Sequence, residues 1–450
     1  MMTFNAAEKS IAIALFSTLF LTACGGGGSD DSSNNASPPT TIKPSAADEP
    51  TEPVNTPELT KPTDTVKPPT QSSNATDSTK PPKPTDSSDA NKPTDNPANS
   101  VAILPTGAAE MAITDVKSKS YDVSAKVGSS LLSLQRQSCG LSAVTENKEL
   151  TKIATQHAQY IQHVFSNSRP TTFNAHYENK ITDIKDWTGS NNPFFTGVSF
   201  KDRLVKANYS NLAYGVAENI SQITYFSSAG RVTSPDYAAQ GMTKSLLAAP
   251  YHMRLLMTPN LSQTGSGMVA YTPHNKDADK SQGYVLVNAS SADKKTVDKT
   301  VKGLFTYPCA DVTNTNTALY NEFPSPVAGT GRDLGIDPIG QPIYISMPAA
   351  KSIKVSNVRF RDVQRNINVP IDLLDYSNDP YKGTEYELPN NEAFILPLTD
   401  SLKSCEIGRK KGQNCGLYGN SDYRVSFDVL VDNKTLETKA FTFSTGEVNY

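Results

Sequence analysis

Asn147-Lys148-Glu149-Leu150-Thr151-Lys152-Ile153-Ala154-Thr155-Gln156-His157-Ala158-Gln159-Tyr160-Ile161-Gln162-His163-Val164-Phe165 places apolar side chains at 150, 153, 154, 158, 161, 164 and 165. That spacing predicts a helix with one buried stripe, and Thr145 and Asn147 offer its N-cap. His157 lies on the stripe and reads as a packed or capping imidazole; His163 lies off it and reads as solvated. A different period governs Arg424-Val425-Ser426-Phe427-Asp428-Val429, where polar and apolar residues alternate, as in a half-buried strand. Two periods in two halves of the chain predict an α+β protein: helices and strands first, an all-β module after.

Working outward from the first helix, Leu131 to Arg136 predicts a helix ending near Cys139-Gly140. Ser199-Phe200-Lys201-Asp202 has the form of a capping box opening a short helix through Ala207. Further helices are expected from Asp236 to Leu247 and from Pro250, followed by strands at Ser266–Tyr271 and Tyr284–Asn288. Beyond residue 305 the strand candidates are Pro342–Met347, Ile353–Phe360, Ile367–Leu374, Phe394–Leu398, Tyr423–Val431 and Lys439–Ser444, with Asp432-Asn433 suited to a hairpin turn. This pattern predicts an antiparallel β-sandwich.

The N-terminal part is of another kind. No Phe, Tyr or Trp occurs from Leu21 through Ser120, and many of the 31 prolines fall between Pro38 and Pro105. Such a stretch buries too little apolar surface to offset its ordering entropy, so a disordered Pro/Thr/Ser-rich tether is expected over 24–115. Lys-Pro-Thr-Asp recurs at Lys61, Lys83 and Lys92, and reads as spacer. Before it, Lys9 precedes an apolar run from Ile11 to Leu21, shorter than the roughly 20 residues a membrane-crossing helix needs. The run ends in Leu21-Thr22-Ala23-Cys24-Gly25, which resembles a bacterial lipobox. The resemblance implies a signal peptide over 1–23, lipid on Cys24 and, with Gly after Cys24, sorting to the outer membrane of a Gram-negative envelope.

Charge narrows the function classes. Across 450 residues, 42 Lys+Arg against 45 Asp+Glu leave a formal charge of −3, which argues against nucleic acid as a partner. With 37% hydrophobic residues the chain is no polytopic membrane protein. Setting Cys24 aside, Cys139, Cys309, Cys405 and Cys415 form an even set in an exported chain. Three pairings are possible; proximity favours Cys405–Cys415, and hence Cys139–Cys309. All five histidines fall between His157 and His274, which points to the first module as the chemical one.

An ordered set of short motifs carries a family resemblance. These are Cys139-Gly140-Leu141 with Asn147 and Leu150; His176-Tyr177-Glu178; Phe195-Thr196-Gly197 with Asp202-Arg203 and Ala207-Asn208-Tyr209; Ala217-Glu218-Asn219-Ile220; Pro250-Tyr251-His252-Met253-Arg254; and Gly265-Ser266-Gly267. Together they resemble the bacterial CAP (SCP/PR-1-like) domain. The resemblance implies a CAP-type α-β-α sandwich over 116–304. The segment 305–450, with its Tyr307-Pro308 start, resembles the Ig-like β-sandwich that follows the CAP domain in a group of bacterial proteins. Departures from the family are Ala217 for Gly, Leu246 for Trp and Ala249 for Ser; its fourth acidic position has no match, with Gln240 the nearest polar residue.

The resemblance implies that His176, Glu218 and His252 converge in one cleft, with Glu178 able to supply a further carboxylate. Imidazoles with carboxylates are a common ligand set for Zn2+ or another divalent metal, and a His–Glu pair can also move protons. The expected role is presentation of the CAP cleft at the cell surface to a protein, lipid or cell-wall ligand. The rival is a metal-assisted hydrolase of peptide, ester or cell-wall bonds; lipid or sterol binding is a third reading by family analogy. No G-x-S-x-G, H-E-x-x-H or P-loop motif occurs.

Overall fold

A computed structural model describes residues 25–26, 110–117, 121–212, 215–292, 303–403, 405–406 and 415–448. Leu21 to Cys24 of the lipobox and the Lys-Pro-Thr-Asp repeats lie outside these residues. The architecture is mixed α/β with several sheets. No helix among the described residues is long and apolar enough to cross a membrane.

The first sheet contains β1 (Gly25–Gly26), β3 (Thr145–Glu146), β4 (Val216–Phe226), β6 (Leu261–Tyr271) and β7 (Ser281–Ala292), in the order β1-β4-β7-β6-β3. β4, β7 and β6 are antiparallel, while β3 runs parallel to β6. Strand alternation splits β7 between two cores. Val285, Val287 and Ala289 pack with Leu150, Ile153, Ala154, Ile161 and Val164 of α3 (Lys148–Asn167). On the opposite face, Tyr284 and Leu286 pack with Ala125 of α2 (Tyr121–Ser138) and with Ala238, Ala239 and Met242 of α5 (Pro235–Leu246). Every residue of β7 is therefore buried. Ile113 and Val116 of α1 (Ile113–Lys117) join the second core, and the preceding β2 (Glu110–Ala112) pairs with β5 (Arg231–Thr233).

The α3 stripe lies buried as its spacing predicts, with Asn147 accepting hydrogen bonds from Glu149 N and Leu150 N. Gly265 and Gly267 let that helix approach β6 closely: a Cβ on Gly267 would stand 2.3 Å from Thr155 N. β4 is the strand that hydropathy conceals. Glu218, Asn219, Ser221 and Gln222 break its apolar pattern, and Glu218 turns into a buried polar cluster rather than onto a hydrophobic layer. The capping box is present: Ser199 and Asp202 bond reciprocally and open α4 (Phe200–Lys206). Pro250 stands at the start of α6 (Pro250–Leu256).

Beyond residue 303 lie two antiparallel four-stranded sheets. One holds β10 (Ile353–Asp362), β11 (Ile367–Asn368), β14 (Asp422–Val431) and β15 (Thr435–Ser444), in the order β11-β10-β14-β15. The other holds β8 (Phe305–Tyr307), β9 (Ile343–Ser346), β12 (Ile371–Asp375) and β13 (Glu392–Pro397), in the order β12-β13-β9-β8. The stretch expected as one strand, 367–374, is two. The chain leaves one sheet and enters the other around Pro370, which has no N–H to give a ladder. Asp432 and Asn433 both adopt positive φ, which these residues tolerate in a tight turn. Val425, Phe427, Val429 and Phe443 of one sheet share a core with Ile343, Ile345, Phe394 and Ile395 of the other. That core also takes in Leu246, Leu247, Tyr251, Met253 and Leu256, so it runs across the expected division at 304/305.

Cys139 is bonded to Cys309, tying the end of α2 to the residue just beyond β8, and Cys405 is bonded to Cys415. Both pairs are those expected.

Candidate functional site

α3, α4, β4 and the loop around residues 174–198 bring five polar side chains into one buried cluster. The stripe of α3 carries His157 inward, and alternation along β4 turns Glu218 toward the same side as Ile220. Asn174 caps the turn holding His176, whose backbone N–H donates to Asn174 Oδ1 at 3.0 Å. Glu178 is fixed by its own backbone N–H, which donates to Val198 O at 2.8 Å. The capping box starts α4 so that Arg203 lies inside, where it is buried.

Glu218 is the hub. Arg203 Nη2 donates to both its oxygens, at 2.8 and 2.6 Å, and His176 Nδ1 lies 3.0 Å from its Oε2. Burial alone would raise the Glu218 pKa, but Arg203, His157 and His176 outweigh it and hold the carboxyl well below the usual range. Arg203 also donates to the His176 carbonyl at 3.1 Å, fixing that loop. Glu178 accepts from Thr196 N, Thr196 Oγ1 and Gly197 N, and its Oε1 lies 2.8 Å from His157 Nδ1.

Proton positions follow from the partners. His157 Nε2 faces the Ala175 carbonyl at 2.8 Å, which only accepts, and His157 Nδ1 faces the Glu178 carboxylate. Both ring nitrogens of His157 are therefore engaged within the cluster. His176 differs. Its Nδ1–H donates to Glu218, and burial pushes its pKa down to about 4, so the ring is neutral. Its Nε2 carries a bare lone pair, is buried, and has no hydrogen-bond partner.

His252, at the start of α6, repeats this arrangement with a different carboxylate. Its Nδ1 lies 2.9 Å from Glu322 Oε1, which also accepts from Tyr251 N at 2.8 Å and His252 N at 3.1 Å. His252 Nε2 is likewise buried and without a partner, as is Glu322 Oε2. Burial raises the Glu322 pKa, against the opposing pull of His252. After burial, the nearness of His252 and His157 adds to the lowering of the His176 pKa. Further polar pairs seat α6: Tyr251 with Asp379 at 3.2 Å, and Arg254 with Glu392 at 2.6 Å.

The expected site residues thus divide into two roles. His176 and His252 turn free Nε2 lone pairs into the interior. Glu178 and Glu218 have their oxygens taken up by donors of the protein and act as orienting groups. Among the described residues no three His, Cys, Asp or Glu side chains are grouped to hold a metal ion. Each ring has its Nδ1 against a carboxylate, the arrangement a metal-bound imidazole normally has, and each leaves Nε2 without a hydrogen-bond partner.

Three members of the site escaped sequence reasoning. Glu322 reads as part of an extended stretch, though an acid followed by Phe323-Pro324 was its one signal. Arg203 follows Ser199 by four residues, the first-turn position facing inward beside Phe200 and Leu204. His157 is packed, as read, but both nitrogens are bonded within the cluster. His163 is not simply solvated: it is edge-on to Trp187 and Phe194, at 5.7 and 6.0 Å between centroids. Comparison with protein-family models yields no match for the chain, and comparison with curated proteins yields none either.

Proposed function

We propose that this chain is a lipid-anchored cell-envelope protein in which a CAP-type module and an Ig-like β-sandwich together form a ligand-binding cleft, with a divalent metal held by His176 and His252. One observation carries the reading: two buried imidazole Nε2 atoms lack partners, each on a ring whose Nδ1 is engaged by a carboxylate. A buried lone pair left unpaired costs on the order of 1–3 kcal/mol, which ligation would recover. An ion there supplies a Lewis-acidic centre whose remaining positions go to water or to a donor of the ligand. Glu218 and Glu322 fix the ring planes and raise the donor strength of Nε2. Arg203 neutralises Glu218, while Glu322 has no such cation among its hydrogen-bond partners, so a positive ion beside His252 would offset its buried charge.

Binding is favoured over acid–base turnover because a ring held near pKa 4 is a weak general base at neutral pH. Calorimetric titration with Zn2+ tests the proposal on the parent and on His176→Ala and His252→Ala. Saturable heat in the parent, weakened in both variants, is expected; no heat in the parent at millimolar Zn2+ contradicts it. The anchor has its own test. Cys24→Ala should move the protein from the membrane fraction to the soluble fraction, and unchanged retention and mass would refute lipidation.

A further inference from the structure

A cavity of about 390 Å³ lies where the C-terminal end of α3 meets β4 and β7. It shares no lining residue with the histidine cluster: on β4 it uses Gln222 and Thr224, roughly 13 Å along the strand from Glu218. Its volume falls within the roughly 300–1,000 Å³ typical of small-molecule sites. Phe165, Tyr225, Phe226 and Tyr271 supply aromatic wall, and Phe226 is 39% exposed. The polar groups deep in it are already paired: Gln222 Nε2 donates to the Tyr271 hydroxyl and to Thr224 Oγ1.

The rim is different. Arg169, His274 and Lys276 line it, and none makes a side-chain hydrogen bond or ion pair with another described residue. Asp277 is the acid among the lining residues, and Lys280 Nζ at 3.0 Å and Asp279 N already occupy its carboxylate. An aromatic cavity thus opens through an uncompensated cluster of donors. Water fills such a cavity poorly, and a cation is repelled at its mouth.

We infer that this cavity is a binding site for a small apolar monocarboxylate, its body against Phe165, Phe226 and Tyr271 and its carboxylate among Arg169, His274 and Lys276. Paired Arg and Lys donors give a carboxylate charge-assisted hydrogen bonds that a neutral head cannot match. The site is independent of the metal reading.

The test is calorimetric titration of the full chain with decanoate, and with decanol as the neutral counterpart. Decanoate should bind saturably, at least tenfold tighter than decanol. Arg169→Gln with Lys276→Gln should weaken decanoate at least tenfold without changing decanol binding or Tm, since both residues are exposed and unbonded. His176→Ala should leave decanoate affinity unchanged. Thr224→Trp, which fills the cavity, should abolish binding of both. The inference is overturned by absence of decanoate binding at millimolar concentration, by equal affinity for acid and alcohol, or by binding that survives the rim or cavity substitutions.

Discussion

His252 Nδ1 stands 2.9 Å from Glu322 Oε1, although the two residues lie on opposite sides of the division expected at residue 304. The second histidine is oriented by the C-terminal module, which also takes up its neighbours Tyr251 and Arg254 through Asp379 and Glu392. His176 is oriented from the first module by Glu218. The two-histidine arrangement is therefore complete only when both modules are folded together.

Glu322→Ala removes the acceptor that fixes His252. If the two histidines bind metal, loss of such a partner should weaken Zn2+ binding about 10- to 100-fold. Glu322→Gln, which keeps an acceptor oxygen, should weaken it less. Zinc titration of both variants checks the order, and equal affinity in all three proteins would exclude a positioning role for Glu322.

Arg203 bears on stability rather than on ligation. Arg203→Ala leaves Glu218 as an uncompensated buried charge, a change that typically costs about 3–5 kcal/mol. Combining Arg203→Met with Glu218→Leu should recover much of the loss, because it removes both charges. Urea unfolding of the parent and the two variants measures this, and a cost under about 1 kcal/mol for Arg203→Ala would contradict the assigned ion pair.

Acid should destabilise the metal-free protein through His176. Its folded-state pKa of about 4 lies below the ordinary 6.5, so between these values the unfolded chain binds the proton and the folded one does not. Stability is fully present above pH 6.5 and falls as pH drops toward 4, by about 3 kcal/mol from this residue. The depressed Glu218 carboxyl extends the loss at still lower pH, because its stabilisation disappears as it protonates. Denaturant unfolding in chelator from pH 7.5 to 4 should show this slope, reduced in His176→Gln.

Gly267→Ala tests the approach of α3 to the sheet. The new Cβ would meet Thr155 backbone at 2.3 Å, so the helix must move, and a loss of about 1–3 kcal/mol or more is expected. Gly303→Ala, with open space around its Cβ, should be close to neutral. Thermal unfolding compares them.

Much of this was legible where one period held without interruption. The α3 stripe from Leu150 to Phe165 and the alternation of Val425, Phe427 and Val429 each have a single apolar environment, so hydropathy alone identifies the element. The disulfides were legible because the cysteines beyond Cys24 form an even set in which Cys405 and Cys415 close the shortest loop. β4 was not, because Glu218 is buried and Gln222 half-buried for their hydrogen bonds, and a polar residue in sequence carries no mark of which side it faces. Glu322 was hidden for another reason. Its partner His252 is 70 positions away, and no local rule links a carboxylate in an irregular stretch to a helix start that far upstream.

The most direct test of the central claim is the 15N NMR spectrum of the histidine rings, recorded at neutral pH before and after one equivalent of Zn2+. The expected result is a neutral His176 with its proton on Nδ1, and a zinc-induced shift of the Nε2 resonances of His176 and His252 and of no other histidine. A proton on Nε2 of His176, or Nε2 resonances that ignore zinc, would contradict the account.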